Sequence, residues 1–163
     1  MKLNIRPMTR ADLPEVLEII GRTMSPEDVA LAKKTFAVYF QPPSERKRRL
    51  GDFGIGEFYV AEIDGRVVGV NGFYTYNGTY WLGWFAVDPR YQRKGVGTAL
   101  LKRVENEVSR RGAKELFVYT SSYPDFEQAR RFYERRGFRR VDRVDHPRFS
   151  EDMIFFRKEL KPA

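Results

Sequence analysis

Between residues 57 and 87 apolar side chains crowd into three short runs, 57–63, 66–74 and 79–87, separated by Asp64-Gly65 and Asn77-Gly78. Both dipeptides favour the two-residue turns that join neighbouring antiparallel strands, so the stretch reads as a meander of three strands. Gly69 and Gly72 inside the second hairpin arm mark a bulge or close packing. Elsewhere the period changes to that of a helix. Leu13, Val16, Leu17 and Ile20 make one stripe after a start at Thr9-x-x-Asp12; Val29, Ala32, Phe36 and Phe40 make another after Ser25-Pro26. Leu100, Leu101, Val104 and Val108 form the third, closed by Gly112. Phe126, Ala129, Phe132 and Tyr133 form the fourth, capped by Asp125-x-x-Gln128 and ended by Gly137.

Short strands are expected at 2–6 and 115–120 and near 138–144 and 152–160, with a long loop over 41–56 that could cover a substrate. A helix connects run 79–87 to run 115–120, which makes those two strands parallel neighbours. The predicted order is β-α-α-β-β-β-α-β-α-β-β. No repeat or linker divides it, so residues 1–163 read as one domain of mixed α/β type with a six- to seven-stranded sheet.

Where strand 79–87 meets the third helix, the chain reads Asp88-Pro-Arg-Tyr-Gln-Arg-Lys-Gly-Val-Gly-Thr98. Gly95 and Gly97 remove side chains where a first helical turn leaves backbone N–H groups without partners. Those donors, the positive end of the helix dipole and the adjacent Arg93 and Lys94 make an anion site suited to phosphate. It is not a Walker loop, because Thr98-Ala99 follows Gly97 where Lys-Ser/Thr is required. Nor is it the dinucleotide fingerprint, which needs three spaced glycines.

Composition narrows the chemistry. The chain is 42% hydrophobic and 15% aromatic, as folded domains are. It has no cysteine and one histidine, His146, which excludes disulfides, thiolate metal sites and a cysteine nucleophile. No acidic cluster suggests a metal, and none is expected. The sequence shows no membrane span and no signal-peptide pattern, so the expected compartment is the cytoplasm. A formal net charge of +8 calls for an anionic partner. The basic residues are spread along the chain and no nucleic-acid recognition motif accompanies them.

Gln92-x-x-Gly95-x-Gly97 after a strand resembles the pyrophosphate motif of the GCN5-related N-acetyltransferase (GNAT) superfamily, Gln/Arg-x-x-Gly-x-Gly/Ala. Ala129-x-x-Phe132-Tyr133-x-x-x-Gly137-Phe138 resembles its second signature, and the order of elements is the family's order across essentially the whole chain. The resemblance implies a GNAT fold whose fourth and fifth strands splay, acetyl-CoA as acyl donor, and direct transfer to an amine in a ternary complex. It implies that Phe85, Ala86 and Val87 offer backbone groups to pantetheine. It also implies that Gln92, Arg93, Lys94, Gly95, Val96, Gly97 and Thr98 hold the pyrophosphate, and that Tyr133 gives a proton to the departing thiolate.

Two departures from the family pattern stand out. Strand 79–87 lacks the carboxylate that many members use as base; Glu57, Asp125 and His146, the last placed in a surface turn before Pro147, are the substitutes. Phe126 stands where many members carry an asparagine, with Ser121 or Ser122 as replacements. The expected acceptor is a small-molecule amine or amino acid, near Tyr39, Phe40, Phe53, Tyr74, Tyr76 and Trp84. The alternatives are a protein or peptide N-acetyltransferase, a non-catalytic acyl-CoA-binding module and a basic nucleic-acid-binding domain; a homodimer is left open.

Overall fold

A computed structural model describes residues 2–142, 144–146 and 152–162, so the expectation of a strand at Arg143 lies outside the described residues. Seven strands form one mixed sheet: β1 (Leu3–Pro7), β2 (Phe53–Ile63), β3 (Arg66–Tyr76), β4 (Thr79–Val87), β5 (Glu115–Ser121), β6 (Arg139–Val141) and β7 (Met153–Glu159). Their spatial order is β1-β2-β3-β4-β5-β7-β6. Every neighbouring pair is antiparallel except β4 and β5, which run parallel and meet at one register pair, Trp81 opposite Phe117. At both predicted hairpins the two turn residues have positive φ (Asp64 50°, Gly65 77°; Asn77 47°, Gly78 79°). That conformation matches the right-handed twist of the strands it joins.

The helices are α1 (Leu13–Thr23), α2 (Pro26–Tyr39), α3 (Pro43–Leu50), α4 (Val96–Arg110) and α5 (Glu127–Arg135). The amphipathic stripes explain most of them. α1 buries Val16, Ile19 and Ile20, and α4 buries Val96, Leu100, Leu101, Val104 and Val108. α2 opens as predicted, with the Ser25 side chain accepting from the Asp28 N–H at 3.1 Å.

Two expectations are corrected. The 41–56 stretch is not a loop: it holds α3 and the first residues of β2. α3 has no buried residue and no apolar period to announce it. Local terms carry it instead: Pro43 in the first turn, and Arg48 and Arg49 paired with Glu45 one turn back. Asp125 does not cap α5; it lies in a 3-10 turn, Pro124–Phe126, and the helix starts at Glu127 without a side-chain cap.

Side chains alternate between the two faces of the sheet. Leu82, Val118, Ile154 and Phe156 join the core under α4, with Tyr133 and Phe138. Trp81, Phe117 and Phe155 point the other way and form a separate aromatic cluster with Tyr74, Tyr76 and Tyr119. α1 and α2 cover the neighbouring part of that second face through Val16, Ile20, Phe36, Phe58 and Val70.

Candidate active site

Beyond Trp81 and Phe117 the parallel strands part, because β4 stays paired with β3 while β5 stays paired with β7. The gap opens a cleft of about 1490 Å³ that both faces of the sheet share. Phe132 and Tyr133 line it from the α4 face, and Phe53, Tyr74 and His146 from the other. It is a slot through the sheet. At its edge β4 bulges: Gly83 to Ala86 spans four residues against three of β3, Val70 to Gly72. The extra residue brings Trp84 to φ +50°, rare for a side chain of that size. A bulge takes one backbone unit out of the ladder, here on the wall of the slot.

The turn before α4 is held from behind. Asp88 is 1% exposed and accepts from the Arg90 backbone N–H (3.0 Å), the Arg90 guanidinium (2.9 Å) and Arg22 (3.1 Å). The Arg90 guanidinium beside it is the main reason its carboxyl titrates below the usual range. The Gln92 side chain donates to the Val87 carbonyl at 3.2 Å, which ties the loop back to the end of β4. Arg93 (φ 63°) and Gly95 (φ 82°) then take left-handed conformations that turn the chain into the helix. A Cβ at Gly95 would meet nothing within 4 Å, so the turn faces open space. The first intrahelical bond is Ala99 N–H to Gly95 C=O, which leaves the N–H groups of Val96, Gly97 and Thr98 for an outside acceptor.

Arg136 completes this end of the slot. Its guanidinium lies 4.1 Å from the centre of the Phe132 ring and donates twice to Thr98 Oγ1 (3.1 and 2.7 Å). The cleft walls carry five arginines (22, 93, 131, 135 and 136) against three aspartates (28, 125 and 152). Free helix N–H groups, fixed guanidinium groups and a slot leading away from them suit a long ligand with a polyphosphate head and a thin neutral arm.

Tyr133 lines the same slot beside Phe85. It is 7% exposed, touches the Phe85 and Phe138 rings, and its hydroxyl has no hydrogen-bond partner among the described residues. Burial pushes its phenol well above the ordinary value near 10, so it keeps its proton at neutral pH. It is placed to donate.

Of the sequence candidates, Phe85, Ala86, Val87, Gln92, Arg93, Gly95, Gly97, Thr98 and Tyr133 all line the one cleft. Lys94 and Val96 do not. The Lys94 ammonium lies 5.6 Å from the Tyr91 ring centre, and the Val96 side chain is 1% exposed in the core, leaving only its backbone to the site. Phe53, Tyr74 and Trp84 line the cleft, whereas Tyr39, Phe40 and Tyr76 pack around it.

Among the substitute bases, Glu57 is outside the cleft, bonded to the Tyr59 hydroxyl and 3.5 Å from Arg111. Asp125 lines the cleft beside Phe126. His146 is not in a surface turn. It is 5% exposed, with Trp81 at 4.6 Å and Tyr119 at 5.2 Å between ring centres, because the aromatic cluster draws it in. Arg136 escaped sequence reading: its partner Thr98 lies 38 residues away, and a basic run reads as a solvated face. Among the described residues no cluster of His, Cys, Asp or Glu is placed to hold a metal ion, and no helix is long and apolar enough to cross a membrane.

This fold and this slot define an acetyltransferase. The sequence model of the acetyltransferase (GNAT) family matches residues 27–138, and the chain belongs to that family. An uncharacterised N-acetyltransferase of Methanocaldococcus jannaschii is 34% identical over 140 residues, covering 82% of this chain and 85% of that protein. The S-(2-succino)cysteine N-acetyltransferase of Bacillus subtilis is 30% identical over 113 residues, covering 63% of this chain and 66% of that protein. Among solved structures, a GNAT-family protein from Desulfovibrio desulfuricans superposes with a TM-score of 0.76 at 27% identity, covering 97% of this chain and 99% of that one. The PaiA N-acetyltransferase of Thermoplasma acidophilum, solved in complex with coenzyme A, shares the fold with a TM-score of 0.71 at 19% identity, covering 98% and 99%.

Proposed function

We propose that the chain transfers the acetyl group of acetyl-CoA to the primary amine of a small molecule of amino-acid type, by direct attack in a ternary complex. The slot through the sheet carries this reading: one mouth is built for phosphates, the other for an organic acceptor, and the two meet at the β4 bulge. The donor supplies an activated acetyl thioester. The N–H groups of Val96, Gly97 and Thr98, with Arg93 and Arg136, bind its phosphates. The backbone of Phe85, Ala86 and Val87 pairs with the pantetheine amides and aims an N–H at the thioester carbonyl, where negative charge grows. Tyr133 holds a proton for the leaving thiolate.

The acceptor mouth is aromatic, and the cleft it opens into carries more arginines than aspartates, which suits an amine that also carries carboxylates. The relative named for S-(2-succino)cysteine, an amino-acid derivative with such groups, supports the same class. The test is thiol release from acetyl-CoA across a panel of amines, read without background because the chain has no cysteine. Acidic α-amino acids are expected to turn over fastest. Release with none of the small amines, but with peptide N-termini, would replace this acceptor class.

A further inference from the structure

The slot has a proton donor in Tyr133, and its aspartates lie elsewhere on its walls: Asp28 accepts from Ser25, Asp152 accepts from the Tyr123 hydroxyl, and Asp125 lies in the 3-10 turn before α5. A lysine-like amine with pKa near 10.4 is neutral to about one part in 2,500 at pH 7, so an acceptor for its proton matters. β4 carries no carboxylate, and Glu57 is bonded outside the cleft. On the acceptor face, however, the Tyr74 hydroxyl lies 2.9 Å from Nε2 of His146, and both residues line the slot. We propose that Tyr74 and His146 form the proton-accepting pair for the acceptor amine; this rests on the acetyl-transfer reading above.

Three observations carry it. The first is position. His146 packs on Trp81, the last β4 residue paired with β5, and on Tyr119, the next residue of β5 on that face, so it stands where the strands begin to part. The second is side. Tyr133 belongs to the core under α4 and His146 to the opposite face, which sets donor and acceptor across one slot. The third is surroundings. The rings around the imidazole are Phe53 from β2, Tyr74 and Tyr76 from β3, Trp81 from β4, Tyr119 from β5 and Phe155 from β7. The tyrosines are the titratable groups among those rings, and the carboxylate nearest in sequence is Asp145.

The step balances without another reactant. In the tautomer with Nε2 bare, the Tyr74 hydroxyl proton moves to Nε2 as the Tyr74 oxygen takes a proton from the bound ammonium. Tyr74 ends neutral, His146 ends as imidazolium, and the amine keeps the lone pair that attacks. The imidazolium returns its proton to solvent through the cleft.

His146 is the only histidine, so an NMR titration of the untagged protein reads its imidazole alone. The acidic limb of the kcat/KM profile should share its midpoint. His146→Gln should abolish that limb and lower kcat/KM at neutral pH by about 10²-fold, the scale of general acid–base catalysis, while acetyl-CoA still raises the thermal midpoint. Tyr74→Phe removes only the hydroxyl and should move the kinetic and NMR midpoints together, with a loss of about 10-fold. An acidic limb that persists in His146→Gln, or midpoints a unit apart in the parent, overturns the pair. If His146→Gln does not fold, an unchanged rate in Tyr74→Phe does so. A parent that acetylates no amine overturns the acetyl-transfer reading and the pair with it; an active parent with an unaltered limb in the variant overturns the pair alone.

Discussion

The two mouths of the slot are built in opposite ways. On the α4 face, the lining is a matter of backbone: a left-handed turn at Arg93 and Gly95, three free N–H groups, and a bulged strand edge, all within residues 83–98. On the other face it is a matter of side chains, with Phe53, Tyr74, Tyr119 and His146 drawn from β2, β3, β5 and the segment after β6. A ligand held by backbone needs only a short stretch of chain with the right conformation. A ligand held by side chains can be changed by substituting any wall, which lets one fold keep its donor and vary its acceptor.

Substitutions can separate the two mouths. The largest effect is expected at their junction: Tyr133→Phe should lower kcat by about 10²-fold while acetyl-CoA affinity stays within about twofold, checked by steady-state kinetics beside calorimetry. Equal losses in both would make Tyr133 a packing residue. On the donor side, Gly95→Val forces a branched side chain into a left-handed conformation that costs an L-residue about 1–2 kcal/mol, and it places carbon atoms in the open space of the proposed phosphate site. Acetyl-CoA affinity should fall by at least about 10-fold with acceptor KM little changed.

Phe53→Ala should show the mirror result, raising acceptor KM by about 10-fold and sparing acetyl-CoA affinity, since Phe53 lines only the acceptor end. A loss of donor affinity there would break the division between the mouths. The smallest effect is on stability. Asp88 and Asp12, held by Arg90 and Arg6, titrate below their ordinary range in the folded chain. Their stabilisation is complete above the unfolded carboxylate value near 4 and is lost as pH falls through the lower folded values. A thermal midpoint that is flat above pH 5 and declines below it should lose part of that decline in Asp88→Asn.

The same contrast explains what could be read in advance. The hairpins, the α4 turn and the parallel pairing of β4 and β5 each follow from a few adjacent residues, and the structure bears them out. α3 was hidden because its residues are polar all round and its stability is local charge pairing. His146 read as a surface residue because Pro147 follows it, while the rings that bury it come from residues 53 to 155. Gln92 belongs to the phosphate-type motif by its spacing, and its side chain also ties the loop to the end of β4 by bonding the Val87 carbonyl, a contact the motif does not announce. Arg136 and Thr98 meet across 38 residues of sequence, with the guanidinium lying over the Phe132 ring.

The most direct measurement is the thermal unfolding midpoint with and without acetyl-CoA. A ligand at about 100 times its dissociation constant stabilises by about 2.7 kcal/mol. For a domain of this size, at roughly 2–4 °C per kcal/mol, that is a rise of about 5–10 °C. The slot as described predicts that rise, and predicts that Gly95→Val loses most of it. An unchanged midpoint at saturating acetyl-CoA would contradict the assignment of the α4 mouth to the acyl donor.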